Sequence, residues 1–193
     1  MRLAVMALSA LGTAYAALEM PALRWTDDPL GNDALLAFVS DSSYGVRGTW
    51  ESNSAQAEAC AAIAERLDIK PGDRVMCTRY VFREAGEAMM LSTSWEPLTL
   101  TGRTPVMLPE EGPLGGMGVV ERMAAIDVIV DNVTEEVGAR PGLAEELLAL
   151  GGVPGHVVVV IQRTFYASGR PVETADVVVP ADRYRIAYHL PVK

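Results

Sequence analysis

The sequence predicts an α+β fold that is built from a duplicated helix-strand-hairpin unit. The clearer copy lies near the end of the chain, where an apolar strand over residues 157–166, a turn at 167–171 and a returning strand over 172–180 follow one another. β-Branched and aromatic residues on both sides of a Gly/Pro/Ser break are typical of a hairpin. The same pattern occurs earlier, over residues 70–97.

Two further features support the duplication. Glycines punctuate both copies at the same spacing, at Gly72 and Gly86 and again at Gly155 and Gly169. A helix-like segment precedes each copy, at residues 55–67 and at 143–150. The first of these segments follows Ser52-Asn53-Ser54, which is a favourable N-cap cluster.

The residues between and after the copies have their own pattern. Residues 110–118 form a Gly-rich loop that leads into a predicted helix over 119–125, and the backbone N–H groups at such a helix start can hold a carboxylate or phosphate. A flexible connection is the alternative interpretation of this loop. Residues 126–137 alternate roughly as a strand, and residues 181–190 alternate as a half-buried closing strand.

Composition and charge limit the classes of function. The 193 residues, half of them apolar, suit one domain with or without an appended arm. The formal net charge of −9 is opposite in sign to that of a surface that neutralises phosphates. We therefore expect no direct nucleic-acid binding by this chain.

The two cysteines do not have the spacing of metal ligands. Cys60 falls in a predicted helix and Cys77 in a predicted strand, and only two histidines are present to complete a site. We expect two buried thiols rather than a disulfide, no metal site and a reducing, cytoplasmic location.

Residues 1–17 contain an apolar run that has two interpretations. The run resembles an export signal because it ends in Ala14-Tyr15-Ala16, but an Ala/Leu-rich helix packed on the domain is favoured. It is too short and too interrupted to span a bilayer, so no membrane association is expected.

Four segments have a combined pattern that is informative: the helix and turn over residues 55–73, the strand 75–79, the segment 115–123 and the stretch 169–184, which ends in Asp182-Arg183-Tyr184. Together they resemble the UTRA domain, the effector-binding domain of GntR-type (HutC-like) transcription regulators, which is related in fold to chorismate lyase. The resemblance implies a central antiparallel sheet with helices packed around it, a small-molecule pocket between sheet and helices, and a homodimer. It covers residues 44–193 and leaves 1–43 as an N-terminal arm, so we expect an effector domain without its own winged helix-turn-helix.

The resemblance also implies site residues. Arg79, Ser94, Glu173 and Tyr184 occupy matching positions, while the Arg-x-Arg of phosphosugar-binding members is replaced by Arg79-Tyr80-Val81, which disfavours a doubly charged phosphate. Arg79 can fork onto a carboxylate or another single anionic group, or it can form an ion pair with Glu173. We expect both residues in one concavity. Tyr184 either closes this concavity or is a buried aromatic residue with a hydrogen-bonded hydroxyl.

Other candidate ligand-binding residues come from period-two alternation and from methionine content. Ser92 and Ser94 should share one face with Met90. Gly116 and Met117 lie in the Gly-rich loop, and several methionines either form a soft apolar wall of the pocket or fill the core. The expected ligand is therefore mostly apolar with one anionic or polar end.

Three functions follow from these observations. The first is a ligand-sensing regulatory domain that needs no cofactor. The second is a metal-free lyase, cyclase or isomerase in which Arg79 holds a carboxylate or enolate and Glu173 is the acid or base. The third is a dimerisation remnant with an empty pocket. Fold alone does not decide among them.

Overall fold

The computed structural model describes residues 49–84 and 86–183. In order, these residues form β1 (Thr49–Glu58), α1 (Ala61–Arg66), β2 (Arg74–Glu84), β3 (Glu87–Pro97), α2 (Leu98–Thr101), α3 (Val119–Ala124), β4 (Asn132–Pro141), α4 (Ala144–Ala149), β5 (Val157–Ala167) and β6 (Arg170–Pro180). The strands build one antiparallel sheet in the order β1-β2-β3-β6-β5-β4. None of the helices in the described ranges has the length and apolar content needed to cross a membrane.

The duplication is confirmed, and each copy also contains a leading strand. The unit β1-α1-β2-β3 recurs as β4-α4-β5-β6, and the copies begin at residues 49 and 132, which are 83 residues apart. Both hairpins shift register at equivalent points, between Phe82 and Arg83 and between Phe165 and Tyr166. The offset of 83 residues therefore aligns the two copies even at the register shift within each hairpin.

The two copies meet at the centre of the sheet. β3 pairs with β6, and Thr93 lies opposite Asp176, its own equivalent in the other copy. An approximate two-fold axis therefore passes through this pair. We call the face that presents Tyr80, Ser94 and Arg163 the pocket face, and the opposite one the helical face.

Each face of the sheet has its own cover. On the helical face, α1 packs Ile63 against Val75, and α4 packs Leu147 against Val158. On the pocket face, residues 98–128 pack over the sheet through a cluster of Val119, Met123, Phe165 and Val172. This arrangement is the expected central antiparallel sheet with helices around it.

The predicted first helix was wrong over its first half. Residues 55–58 belong to β1, and Ser52-Asn53-Ser54 pair with β2 instead of capping a helix. The Ser54 hydroxyl lies 2.9 Å from the Thr78 hydroxyl across this pair. The backbone N–H and C=O groups of these residues pair with β2 instead of forming a helix. Tertiary pairing therefore overrides a weak local preference for helix.

The second copy followed its prediction more closely, although boundaries moved. The helix predicted over 143–150 is observed as α4, and the helix predicted over 119–125 as α3. The strand predicted over 126–137 begins later, as β4, because Ile126 and Val128 pack into the cover of the pocket face. Residues 181–183 form a turn, and the rest of the predicted closing strand lies outside the described residues, as does the arm 1–43.

The cysteines differ from the expectation of two buried thiols. Both are free, but Cys60 is exposed and Cys77 is half-buried. Cys60 is exposed because it is the N-cap residue of α1. In the part of the chain that the structure describes, no three His, Cys, Asp or Glu side chains come together as a metal site.

Candidate ligand-binding site

A concave pocket lies on the pocket face, between the sheet and the cover. Strands β2, β3, β5 and β6 form its floor, and residues 109–110 and 117–119 form its opposite wall, with Trp50 of β1 at the margin. A narrow cavity of about 50 Å³ lies within about 600 Å³ of space that includes open solvent. Residues from both copies therefore contribute to one site.

Aromatic rings make up much of the wall. Tyr80 and Phe82 stack with their ring centroids 5.8 Å apart, and Phe165 comes from the equivalent of Phe82 in the second copy. Trp50 donates a hydrogen bond from Nε1 to Oε2 of Glu110, at 3.0 Å, and so ties β1 to the cover. This part of the pocket offers aromatic, largely apolar surface to a ligand.

A buried ion pair forms the end of the pocket under α3. Arg122 donates to the Glu96 carboxylate, and both side chains are 2% exposed. Nη1 of Arg122 also donates to the carbonyl oxygen of Val106 at 2.9 Å. Burial raises the pKa of Glu96, and the Arg122 guanidinium opposes that rise. The pair fixes α3 to the sheet and places two charged groups beside the cavity.

A second buried ion pair comes from the other copy. Arg163 Nη2 lies 2.6 Å from Oε1 of Glu135, and Nε donates to the same oxygen at 2.7 Å. The guanidinium carbon of Arg163 lies 6.0 Å from the centre of the Phe165 ring. Glu173, opposite Phe165 in the register of β5 and β6, is 3% exposed and also lines the pocket.

The hydroxyl of Tyr80 is held in its neutral form. Burial, and next the charge of the Glu110 carboxylate, raise the pKa of Tyr80 well above its ordinary value. At neutral pH this group is a hydroxyl that can donate a hydrogen bond.

Half of the eight predicted site residues line this pocket. Ser92, Ser94, Met117 and Glu173 line it. Met90 is buried beneath the lining and packs in one cluster with Phe82 and Val177, which both line the pocket.

Gly116 lies beside the pocket lining. Gly116 precedes Met117 in the cover and has φ +76°, a conformation that favours glycine, but the pocket is lined by its neighbours and not by Gly116 itself. Tyr184 lies outside the described residues.

The structure does not bring Arg79 to this pocket. Arg79 is exposed on the helical face, where it lines an open groove with Trp95, Arg140 and Glu145. It pairs with Thr93, whereas Tyr80 pairs with Ser92 and faces the pocket. Arg79 and Glu173 therefore lie on opposite faces, so they form neither the expected ion pair nor the clamp and acid/base pair of the enzyme hypothesis.

Sequence reasoning missed several side chains of the site. Tyr80 and Arg163 are equivalents under the offset of 83 residues, so strict use of that offset would have placed both on one face. Glu96 continues the period-two series of Ser92 and Ser94. Arg122 had no such signal, because α3 is brought to the sheet only by tertiary packing.

A family model gives the deciding comparison. The model of the UTRA domain matches residues 51–185. The chain belongs to the UTRA domain family. UTRA domains are the effector-binding domains of GntR-type transcription regulators, and the related proteins are transcriptional regulators as well, which favours this assignment over an enzyme.

Three related proteins illustrate the match to this UTRA domain. A crystal structure assigned to the GntR family of transcriptional regulators has 85% identity and a TM-score of 0.76, over 81% of this chain and 64% of that one. An uncharacterised helix-turn-helix regulator of Streptomyces coelicolor is 28% identical over 170 residues, which are 86% of this chain and 61% of that protein. The effector domain of PhnF from Mycobacterium smegmatis has 14% identity and a TM-score of 0.68, over 83% of this chain and 96% of that one, and shows the shared fold. The chain thus spans less than two thirds of the first two relatives.

Proposed function

We propose that the pocket on the pocket face is the effector site of this UTRA domain and that it binds a small, mostly apolar molecule with one polar end. The observation that carries the proposal is the convergence of stacked aromatic rings, the hydroxyls of Ser92 and Ser94, and buried ionic groups on one cavity. Ligand sites are typically apolar concavities with a few placed polar groups.

The cover is the element through which binding is expected to act. Its Gly-rich loop contains two glycines with positive φ, Gly112 at +79° and Gly116 at +76°. Met117, which follows them, is 37% exposed. Within the cover, the Gly-rich loop 110–118 leads directly into α3, which Arg122 ties to Glu96. A ligand that contacts Met117 and the floor together therefore favours one position of the cover, and that population shift is the regulatory event.

The output of the domain is regulation of transcription in the cytoplasm. With a net charge of −9, this chain does not itself supply the surface that neutralises DNA phosphates. We propose that a helix-turn-helix part reads the DNA and that effector binding in this domain controls it. The longer helix-turn-helix relative of this chain supports that arrangement.

We also propose a homodimer that forms through the surface around α4. Of the eight large hydrophobic side chains exposed among the described residues, four lie within residues 143–157, and Leu148 is 85% exposed. Their equivalents in the first copy are polar or small and are also exposed: Leu143 matches Cys60, Leu148 matches Glu65, Val153 matches Lys70 and Val157 matches Arg74. The fold therefore does not require apolar residues here, and such a surface is typical of an interface.

The effector site is tested by the molecules that the protein carries from its producing cells. Native mass spectrometry of the purified chain should show an added small-molecule mass that Ser94→Phe removes, because the larger ring fills the cavity. Thr93→Phe, one residue away on the helical face, should keep the mass. If a retained mass is unchanged in Ser94→Phe, the ligand lies elsewhere and the assignment of the pocket fails.

The dimer is tested by light scattering during size exclusion. Leu148→Glu should give a monomer, whereas Ile129→Glu, at an exposed residue outside the α4 surface, should leave the dimer intact. A monomeric wild-type chain at micromolar concentration contradicts the proposal.

A further inference from the structure

The polar groups around the pocket have an excess of negative charge. Glu96, Glu110 and Glu173 line it, and so do Arg122 and Arg163. Glu135 lies behind Arg163 and binds its guanidinium. Four carboxylates therefore accompany two guanidinium groups among the described residues, and the excess does not depend on which acid pairs with which base.

Both guanidinium groups already bind carboxylates. Arg163 holds the Glu135 oxygen at 2.6–2.7 Å, and Arg122 holds Glu96 in a pair that is almost fully buried. An anionic ligand would have to compete with these partners and would also face the carboxylates of Glu110 and Glu173, which line the same pocket. The anionic option for the ligand depended on Arg79, which lies on the other face of the sheet.

The aromatic residues of the pocket also favour a cationic ligand. Trp50, Tyr80, Phe82 and Phe165 all line the same cavity, and Tyr80 and Phe82 stack on each other. The face of an aromatic ring attracts cations through its quadrupole, and the attraction grows when water is excluded. Trp50 also brings the Glu110 carboxylate to the cavity through the bond from Nε1.

From the sign of these charges and the aromatic rings beside them, we propose that the polar end of the effector is a cation, an ammonium or a similar nitrogen base on an apolar or aromatic body, which Glu173 and Glu110 recognise. This inference rests on the proposed function, since it names the chemical class of the ligand at the same site. Ser92 and Ser94 supply hydroxyl acceptors for the remaining N–H groups.

The experiment compares three probes that share a ring and a two-carbon chain: 2-phenylethylamine, 2-phenylethanol and phenylacetate. Each is titrated into the 193-residue chain by calorimetry at pH 7. We expect the amine to bind at least about tenfold more tightly than the alcohol, because a charge-assisted contact in a partly dry site is worth more than one order of magnitude. Phenylacetate should bind most weakly.

Charge-removing variants identify the recognising groups. Glu173→Gln and Glu110→Gln should each reduce the preference for the amine over the alcohol about tenfold. Glu145→Gln changes the net charge equally on the helical face and should leave the preference intact. If Glu173→Gln does not fold, Glu110→Gln in the cover still decides the question.

The outcomes separate this inference from the proposed function. Tighter binding of phenylacetate or of the alcohol, abolished by Ser94→Phe, overturns the cationic ligand but keeps the pocket as the site. Binding of the amine that Ser94→Phe does not change overturns both. If none of the probes binds, the inference falls, whereas a co-purified mass that Ser94→Phe removes still supports the proposed function.

Discussion

Tyr80 of β2 and Arg163 of β5 occupy the same position in the two copies of the repeat, and both face the one pocket. An approximate two-fold axis would place identical chemistry on both sides of the cavity if the copies had stayed alike. Instead one side carries an aromatic hydroxyl and the other a buried guanidinium bound to Glu135. Met90 and Glu173 are also equivalent positions, and they differ as well. Met90 belongs to the apolar core, whereas Glu173 lines the pocket.

The contrast between Arg79 and Arg163 leads to the first prediction. Arg163→Met should lower the free energy of unfolding by about 3–5 kcal/mol, because Glu135 would keep a buried charge without its guanidinium. The matched change Arg79→Met, at an exposed site, should alter it by less than about 0.5 kcal/mol. Urea unfolding followed by circular dichroism measures both. Equal losses in the two variants would contradict the burial and pairing of Arg163.

The ion pair of Glu96 and Arg122 is tested by a double-mutant cycle. Glu96→Leu and Arg122→Met should each cost about 3–5 kcal/mol, since each leaves the other charge buried. The double variant should recover much of this loss, because two apolar side chains of similar volume can replace a buried pair. The measurement is again urea unfolding. If the two losses simply add, the side chains are not coupled as the structure shows them.

The hairpins and the duplication could be predicted because their determinants are local. Glycines at hairpin turns and runs of β-branched residues identify each copy from sequence alone. β1 could not be predicted, because an exposed edge strand lacks the alternation of a half-buried one. The second copy held the missing information, since β4 shifted by the repeat offset coincides with β1.

Only part of the site could be predicted, because successive residues of a strand point to opposite faces of the sheet. Ser92 and Ser94 were placed correctly because two residues on one strand keep their common face whatever the register. Arg79 was misplaced because facing the pocket depends on parity, and a shift of one residue moves a side chain to the other face. Arg122 reaches the pocket from a separate helix, and no local pattern encodes that contact.

A pH prediction follows from Glu146 at the start of α4. Its carboxylate accepts two hydrogen bonds from Arg140 at 2.7 Å and one from the Leu143 N–H at 2.8 Å. The Arg140 guanidinium is the main reason that the pKa of Glu146 lies below its usual 4.5. A depressed folded-state pKa gives stability that is present above pH 4.5 and lost as the pH falls through the folded-state value.

Glu146→Gln should therefore be less stable than the wild type at pH 7, and the difference should shrink as the pH falls below 4.5. Because Arg140 is partly exposed, screening limits the effect to about 0.2–1 kcal/mol. Denaturant unfolding between pH 3 and pH 7 checks it, with Glu145→Gln as the neighbouring control. A difference that stays constant with pH would mean that the loss comes from capping and not from charge.

The last prediction concerns the turn of the second hairpin. Gly169 has φ +76°, and a Cβ there would meet no atom within 4 Å, so substitution costs backbone strain without a steric clash. Gly169→Ala should destabilise the domain by about 1–2 kcal/mol, the cost of a left-handed conformation for an L-residue. Gly138→Ala in β4 has equally open surroundings, does not share the positive φ and should be neutral or slightly stabilising. Thermal unfolding of the two variants compares strain with chain entropy directly. Equal melting temperatures for the two variants would show that the turn does not require glycine. The presence of glycine at both equivalent positions, Gly86 and Gly169, would then reflect common ancestry alone.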